Sequence, residues 1–143
     1  MSHLSFAIDL AQEYHGDQTD KTGQPFIGHP LRVMALMPTE TEKVVAVLHD
    51  LVEDTAFTVQ QLEYMFPAYI TDAVDAISRR KGETYKQFIA RCAQNPIAKS
   101  VKGADITDNA DPRRQWTGAP ISRYRWAWAY LFPDEPLPPG LAK

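Results

Sequence analysis

The sequence feature that most constrains this chain is a histidine–aspartate pair that follows an apolar stretch. His49 and Asp50 come directly after the run VVAVL, residues 44–48, in which every side chain is apolar. Because that run has no polar face, it predicts a helix buried at the centre of the protein. A buried charged pair costs free energy unless its members are paired or bind a metal ion. The pair therefore points to a metal site in the interior.

Apolar residues recur at helical spacing along most of the chain, between breaks rich in proline, glycine and other turn formers. They predict helices that begin near Leu4, Pro30, Thr39, Thr58, Pro67, Thr84, Pro96 and Ile121. The helix that starts at Thr39 or Thr41 is predicted to continue through the His-Asp pair. No segment keeps the alternation of a strand, so the sequence predicts a compact all-α bundle with this helix at its centre.

The length of 143 residues suits one domain with one core. We predict that domain over residues 1–132. Four prolines in the seven residues from Pro133 predict an extended or disordered, proline-rich tail over residues 133–143. Trp116, Trp126 and Trp128 cover either an edge of the bundle or an interface between copies of the chain, so the sequence leaves a homo-oligomer open.

Composition excludes some classes of function. A net charge of −3 and a pI near 5.8 argue against a nucleic-acid surface, which needs a basic face. Cys92 is the only cysteine, so no internal disulfide can form. No basic-then-apolar leader is visible, and no apolar run approaches the roughly 20 residues that span a bilayer. We expect a soluble, cytoplasmic protein whose partner is a small molecule.

Two further carboxylates follow the His-Asp pair at the spacing of one helical turn. Glu53 lies four residues after His49 and Asp54 four residues after Asp50, so in a continuous helix each pair would stack on one face. A metal ion at His49 and Asp50 would lower the pKa of a bound water molecule. Glu53 or Asp54 could then hold or deprotonate that water.

Two further candidate ligands lie far away in the sequence, His29 in GHP and Asp105 in KGAD. Two imidazoles and two carboxylates suit Mn, Fe, Co, Ni or Zn better than Ca or Mg. The alternative is that these residues bind no metal. His29 would then be an ordinary polar residue at a helix start, and the His-Asp pair with Glu53 and Asp54 would form a solvated helix face. Spacing alone leaves both interpretations open.

Three segments carry a resemblance to a known family: PFIGHPLRV (25–33), LHDLVEDT (48–55) and VKGADITDN (101–109). Together they resemble the HD-domain metal-dependent phosphohydrolases and, more narrowly, the hydrolase domain of RelA/SpoT-type enzymes and the small alarmone hydrolases. The resemblance covers roughly residues 5 to 130. It implies an HD-domain helical bundle in which a divalent metal, Mn²⁺ by preference, is held by His29, His49, Asp50 and Asp105. It also implies that Glu53 and Asp54 assist the attacking water.

The same resemblance implies a substrate. The family removes the 3′-pyrophosphate from guanosine tetra- or pentaphosphate, (p)ppGpp, and some relatives remove a 3′- or 2′-phosphate from other nucleotides. Lys21 and Asn109 match family positions that contact the substrate, and Tyr124 matches either a residue beside the substrate or an aromatic core position. Asp20 falls where the family has an arginine that lies against the purine ring. Because a carboxylate cannot stack on a base as a guanidinium does, the sequence leaves the base preference open.

Other functions remain open at this point. A nucleotidase acting on simple nucleotides would use the same fold and metal. A nucleotide-binding sensor would keep the metal and turn over slowly.

Overall fold

The computed structural model describes residues 2–114 and 120–142. Within these ranges the chain forms nine α-helices: α1 His3–His15, α2 Gly28–Ala35, α3 Glu40–Leu48, α4 Leu51–Asp54, α5 Val59–Glu63, α6 Ala68–Ile77, α7 Tyr85–Cys92, α8 Pro96–Asn109 and α9 Ile121–Leu131. The described residues contain no strand, only one isolated bridge between Thr19 and Pro25. The prediction of an all-α fold is confirmed. None of the described helices has the length and apolar character needed to cross a membrane.

Short polar side chains determine where most of these helices begin. The side-chain oxygens of Ser2, Thr39, Thr58, Thr84 and Asn95 each accept a backbone N–H from the first turn of α1, α3, α5, α7 and α8. Such caps satisfy donors that a helix start otherwise leaves without a partner. At α5 and α7 a glutamine three residues later completes a reciprocal capping box.

Helix α3 lies at the centre of the bundle, as its apolar sequence predicts. It packs against α1, α2, α6 and α8. All five residues from Val44 to Leu48 are no more than 1% exposed. Since helices surround it on several sides, α3 needs no polar face.

The prediction that the His-Asp pair lies within one continuous helix is wrong. Helix α3 ends at Leu48 and α4 begins at Leu51, so His49 and Asp50 form the junction between them. The backbone angles of Asp50 (φ −94°, ψ −3°) depart from ideal α-helical values at this interruption. As a result, the stacking of His49 on Glu53 and of Asp50 on Asp54 cannot be derived from the helical repeat alone.

Helix α8 lies between two apolar clusters. The larger one is built mainly from α1 to α6, and the smaller one joins α7, α8, α9 and the tail through Phe88, Ile89, Ile106, Ala110, Ala127, Leu131 and Leu141. Gly103 permits a close approach on the second side, because a Cβ there would lie 2.7 Å from the Phe132 ring. This packing holds α8 in place between the two clusters.

The predicted proline-rich tail contains no helix over residues 133–142, and its end is anchored against α8 and α9. Leu141 is fully buried in the smaller cluster, and its carbonyl accepts a 2.9 Å hydrogen bond from Arg125 Nε. Gly140 lies so close to Ala110 that a Cβ could not fit. The proline content signalled the lack of helix but not the anchoring by Leu141.

The tryptophans are only partly described. Trp128 packs against Phe132 with ring centroids 4.7 Å apart, and Trp126 stacks on Tyr130 at 5.4 Å. Both therefore cover the α9 side of the bundle. Trp116 lies outside the described residues. An interface between copies of the chain remains a prediction.

The tail anchor can be tested by truncating one leucine. Leu141→Ala should lower the free energy of unfolding by about 2–5 kcal/mol, because it removes a fully buried side chain and leaves a cavity. Leu137→Ala is the matched control, since Leu137 in the same tail is 38% exposed and its truncation should cost less than about 0.5 kcal/mol. Urea denaturation followed by circular dichroism measures both. Equal stabilities would show that the tail does not anchor the fold.

Candidate metal centre and active site

Three separate parts of the chain meet at one buried point. His29 lies in the first turn of α2, His49 and Asp50 lie at the junction of α3 and α4, and Asp105 lies in the second half of α8. One potential ligand atom from each of His29, His49 and Asp105 lies within 4.8 Å of the others, and all three residues are buried. The structure therefore brings together residues that are up to 76 positions apart in sequence.

The carboxylate oxygens of this cluster face the imidazole nitrogens. Asp105 Oδ1 is 2.8 Å from His29 Nε2 and 3.2 Å from His49 Nε2. Asp50 Oδ2 is 3.1 Å from His49 Nε2 and 3.5 Å from His29 Nε2. All four predicted ligands thus present a nitrogen or an oxygen to the same small volume.

Contacts at the other ring nitrogens orient both imidazoles. His49 Nδ1 donates to the carbonyl of Ala46, and His29 Nδ1 donates to Asp108 Oδ2 at 2.7 Å. Each Nε2 must then carry a second proton or direct a lone pair at a cation. Burial opposes protonation, but nearby carboxylates outweigh it. Asp105, Asp108 and Asp50 raise the pKa of His29, and Asp50 and Asp105 raise that of His49.

The donor set fits a divalent metal ion. Two imidazole nitrogens and two carboxylate oxygens match the preferences of Mn, Fe, Co, Ni and Zn. Hydrogen bonds from Nδ1 to a carboxylate or a carbonyl are the usual support of metal-binding histidines, because they fix the ring and its tautomer. Both histidines have that support here.

Lys102 keeps Asp105 ionised. Burial opposes the charge of Asp105, but Lys102 and the two histidines hold the pKa of its carboxyl well below the usual value. Lys102 Nζ donates to Asp105 Oδ2 at 2.7 Å and lies 5.2 Å from the centre of the Phe88 ring. One Asp105 oxygen is therefore engaged by Lys102, while the other faces the histidines. The role of Lys102 was not predicted from the sequence, although its spacing of three residues from Asp105 on a helix indicates a contact.

Asp108 is a second buried carboxylate that the sequence analysis missed. Besides His29, it accepts hydrogen bonds from Arg32 Nε and Arg114 Nη1, both at 2.9 Å. Since Asp108 is only 5% exposed, these three donors satisfy its charge in the interior. It lies three residues after Asp105 in α8, which is the one signal that could have identified it.

A pocket of about 260 Å³ opens beside the ligand cluster. Its described lining consists of Asp20, Phe26, His29, Asp50, Glu53, Asp54, Lys102, Asp105, Asn109 and Arg114. The predicted catalytic pair, Glu53 and Asp54, and the predicted substrate residue Asn109 therefore all border it. Asn109 Nδ2 also donates to Asp105 Oδ1 at 3.2 Å.

The environment of the pocket raises the pKa of both predicted catalytic carboxyls. Burial, followed by the neighbouring charges of Asp50 and Glu53, raises the pKa of Asp54 to about 7. Burial also raises the pKa of Glu53, although its carboxylate accepts a hydrogen bond from the Arg79 backbone N–H. Both groups can therefore exchange a proton closer to neutral pH than an exposed carboxyl can.

Two predicted substrate residues do not line the pocket. Lys21 is exposed on a loop. The neighbouring Asp20 tightens this loop, since its Oδ1 accepts hydrogen bonds from the backbone N–H groups of Thr22 and Gln24. Tyr124 packs against the smaller apolar cluster, where burial raises its pKa. The structure therefore gives Lys21 and Tyr124 no contact with the pocket, and their roles remain predictions.

The part played by Asp108 can be tested through metal affinity. Asp108→Asn should weaken binding of Mn²⁺ by about 10- to 100-fold, because a neutral amide orients and polarises His29 less than a carboxylate does. Asp111→Asn is the control, since Asp111 lies just after the end of the same helix and, among the described residues, forms its ion pair with the exposed Arg113. Isothermal titration calorimetry with Mn²⁺ alone measures both. Unchanged affinity in Asp108→Asn would remove the proposed support of His29.

Several curated proteins are similar in sequence to this chain. They include the guanosine-3′,5′-bis(diphosphate) 3′-pyrophosphohydrolase of Aquifex aeolicus, 31% identical over 72% of this chain, and that of Haemophilus influenzae, 36% identical over 70%. The bifunctional (p)ppGpp synthase/hydrolase SpoT of Escherichia coli is 30% identical over 76%. The matches cover only 16–18% of the length of these relatives. No protein-family model matches the chain.

A solved structure shows the same fold. It is that of a metazoan SpoT orthologue described as hydrolysing ppGpp, with a TM-score of 0.71 and 23% identity, covering 92% of this chain and 82% of that one. The likeness supports the arrangement of the helices. On the ligand cluster, the sequence matches and the shared fold together, the chain belongs to the RelA/SpoT-type HD-domain family.

Proposed function

We propose that this chain is a metal-dependent phosphohydrolase that cleaves a phosphate or pyrophosphate ester of a nucleotide. The observation that carries the proposal is the convergence of His29, His49, Asp50 and Asp105 beside a pocket that Glu53 and Asp54 border. Such an arrangement combines a cation site with carboxylates able to handle a water molecule. The names of the relatives make the 3′-pyrophosphate of (p)ppGpp the candidate substrate.

Mn²⁺ is the proposed metal. When bound, it would supply the charge that polarises a phosphoryl oxygen and lowers the pKa of water. It would be held by His29, His49, Asp50 and Asp105. This mixed nitrogen and oxygen donor set favours Mn²⁺ over Ca²⁺ and Mg²⁺, which prefer sites built from oxygen ligands alone.

Glu53 and Asp54 are the proposed catalytic carboxylates. Asp54 borders the pocket beside the proposed metal ligands, where a carboxylate can accept a proton from a water molecule. The hydrogen bond from Arg79 fixes the position of the Glu53 carboxylate at the edge of the pocket. We assign to this pair the holding and deprotonation of the attacking water.

Cationic and amide groups in the same pocket are proposed to receive the substrate. Lys102 and Arg114 both line it and offset the negative charge of a phosphate. Asn109 borders it from α8 and can donate to a ribose or base oxygen. Lys21 and Tyr124, which lie outside the pocket, are proposed only as contacts for parts of the substrate that extend beyond it.

The proposed setting is the cytoplasm, with a nucleotide as the small-molecule partner and no nucleic acid or membrane surface. An acidic pI near 5.8 and a single buried, unpaired cysteine agree with this setting. Asp20 lines the pocket where the family has an arginine, so we propose that no guanidinium stacks on the base at this position and that guanine is not selected there.

A nucleotide panel tests the proposed activity. Purified protein with Mn²⁺ should release pyrophosphate from a nucleoside 3′-diphosphate such as ppGpp, and chelation by EDTA should stop the reaction. Orthophosphate released from simple monophosphates alone would indicate a nucleotidase instead. Tight nucleotide binding without any product would indicate a sensor and contradict hydrolysis.

Two substitutions separate metal binding from proton transfer. His49→Ala should lose both Mn²⁺ binding and activity, because it removes a ligand. Glu53→Gln should keep Mn²⁺ affinity but lower kcat by about 100-fold or more, in the range that general acid–base groups contribute. Glu63→Gln, an exposed glutamate on α5, is the matched control and should behave as the wild type. Calorimetry and steady-state kinetics provide the two readouts, and a fully active Glu53→Gln would rule out its assigned role.

A further inference from the structure

The loop between α6 and α7 touches the metal pocket through its backbone. This α6–α7 loop has the sequence SRRKGET, residues 78–84. The backbone N–H of Arg79 donates a hydrogen bond to Glu53 Oε1, and in the described part of the chain this is the one hydrogen bond that the Glu53 side chain receives. A glutamate side chain has several rotatable bonds, so this contact decides where its carboxylate lies.

Arg91, in the last turn of α7, holds both ends of the α6–α7 loop. Its Nη1 donates to the carbonyl of Asp75 at 2.8 Å and its Nη2 to the carbonyl of Ser78 at 2.7 Å. These carbonyls lie at the end of α6, where a helix leaves acceptors without a donor of its own. Nε and Nη2 also donate to the two carboxylate oxygens of Glu83, at 2.9 and 3.0 Å. One guanidinium therefore ties the start of the loop to its end.

The ion pair of Arg91 and Glu83 is shielded from solvent. The two side chains are only 21% and 13% exposed. The hydrogen bonds from Arg91 lower the pKa of Glu83 to about 2, so both groups stay charged near neutral pH. A two-pronged contact between a guanidinium and a carboxylate also fixes the plane of each group. The pair therefore keeps Arg91 directed at the end of α6.

The peptide group between Ser78 and Arg79 connects this ion pair to the metal pocket. Its carbonyl oxygen accepts from Arg91, and its N–H donates to Glu53. Carbonyl and N–H belong to one rigid plane, so a contact that orients the carbonyl also orients the N–H. Hydrogen bonds in such a chain polarise one another, which strengthens the bond that Glu53 receives. Arg91 can thus act on the Glu53 carboxylate through a single peptide group.

We propose that Arg91 is a positioning residue for the reaction. Acting through the Ser78–Arg79 peptide group, it fixes the direction in which the Glu53 carboxylate faces the attacking water. Glu83 assists by holding the guanidinium in place. This inference rests on the proposed hydrolase function and on the role assigned there to Glu53. It adds two residues that lie outside the described lining of the metal pocket.

Steady-state kinetics of Arg91→Gln test the proposal. With Mn²⁺ and ppGpp, kcat should fall by about tenfold or more, because a misplaced catalytic group loses the geometry that the reaction requires. KM for ppGpp and the Mn²⁺ affinity measured by calorimetry should keep their wild-type values, since Arg91 contacts neither substrate nor metal. Glu83→Gln should lower kcat by a smaller factor, and it replaces Arg91→Gln if that variant does not fold. An unchanged kcat in the folded variants overturns the proposal.

A double variant distinguishes positioning from general damage to the fold. If Arg91 acts through Glu53, Arg91→Gln should cause no further loss of kcat in a Glu53→Gln background. A structural effect elsewhere would instead multiply the losses of the two single variants. Multiplied losses therefore overturn the proposal.

Arg80→Gln is the matched control. Arg80 lies in the same loop and pairs with Asp75, but the side chains of this pair are 58% and 39% exposed. Its guanidinium donates to the Asp75 carboxylate rather than to the Ser78 carbonyl. Its replacement should leave kcat at the wild-type value. A loss equal to that of Arg91→Gln would show that any change in the loop lowers activity, which overturns the specific role of Arg91.

A measurement without turnover separates this proposal from the proposed function. Hydrogen–deuterium exchange of the full chain can be resolved to single amides by mass spectrometry. The Arg79 amide should exchange at least about tenfold faster in Arg91→Gln than in the wild type, because its hydrogen bond to Glu53 opens more often. Faster exchange, with Arg80→Gln unchanged, supports the orientation of Glu53 by Arg91 even if the wild type hydrolyses no nucleotide, and only the proposed function then fails. An unchanged exchange rate overturns the positioning role while leaving hydrolysis to be judged by product release.

Discussion

The structure depends on an ionised Asp105 in the interior. Its carboxylate lies 5% exposed between two imidazoles and the ammonium group of Lys102. A buried charge of this kind is tolerated only when every oxygen has a partner. Lys102 engages one oxygen, and the other joins His29, His49 and Asn109. This requirement constrains how closely α2, α8 and the α3–α4 junction approach one another at the site.

Much of the fold was accessible from the sequence because its signals are local. Helix caps such as Thr58 and Thr84 act within four residues, and the apolar run before His49 marks the central helix by composition alone. The four metal ligands were also accessible, although only the family motifs connected His29 and Asp105 to the His-Asp pair. Spacing by itself could not bring residues 76 positions apart together.

The features that sequence reasoning missed depend on tertiary contacts. The break at Asp50 rests on a backbone angle that neither His49 nor Asp50 signals by residue type. In the sequence, Asp108 resembles any carboxylate on a helix. Its partners His29 and Arg32 come from α2, which contacts it only in the folded protein. Leu141 lies among prolines, so its burial depends on the space that α8 and α9 leave for it. In each case the determining partner is distant in sequence.

The separation of the ligands along the chain also bears on how the protein resists denaturation. An ion bound to both His29 and Asp105 would close a loop of 76 residues, and one bound to His49 and Asp105 a loop of 56. A disulfide persists in the unfolded chain, whereas such an ion would leave on unfolding, so it would stabilise the native state by mass action. In a chain without any disulfide, the cation proposed for catalysis would therefore also be a reversible cross-link between α2, the α3–α4 junction and α8.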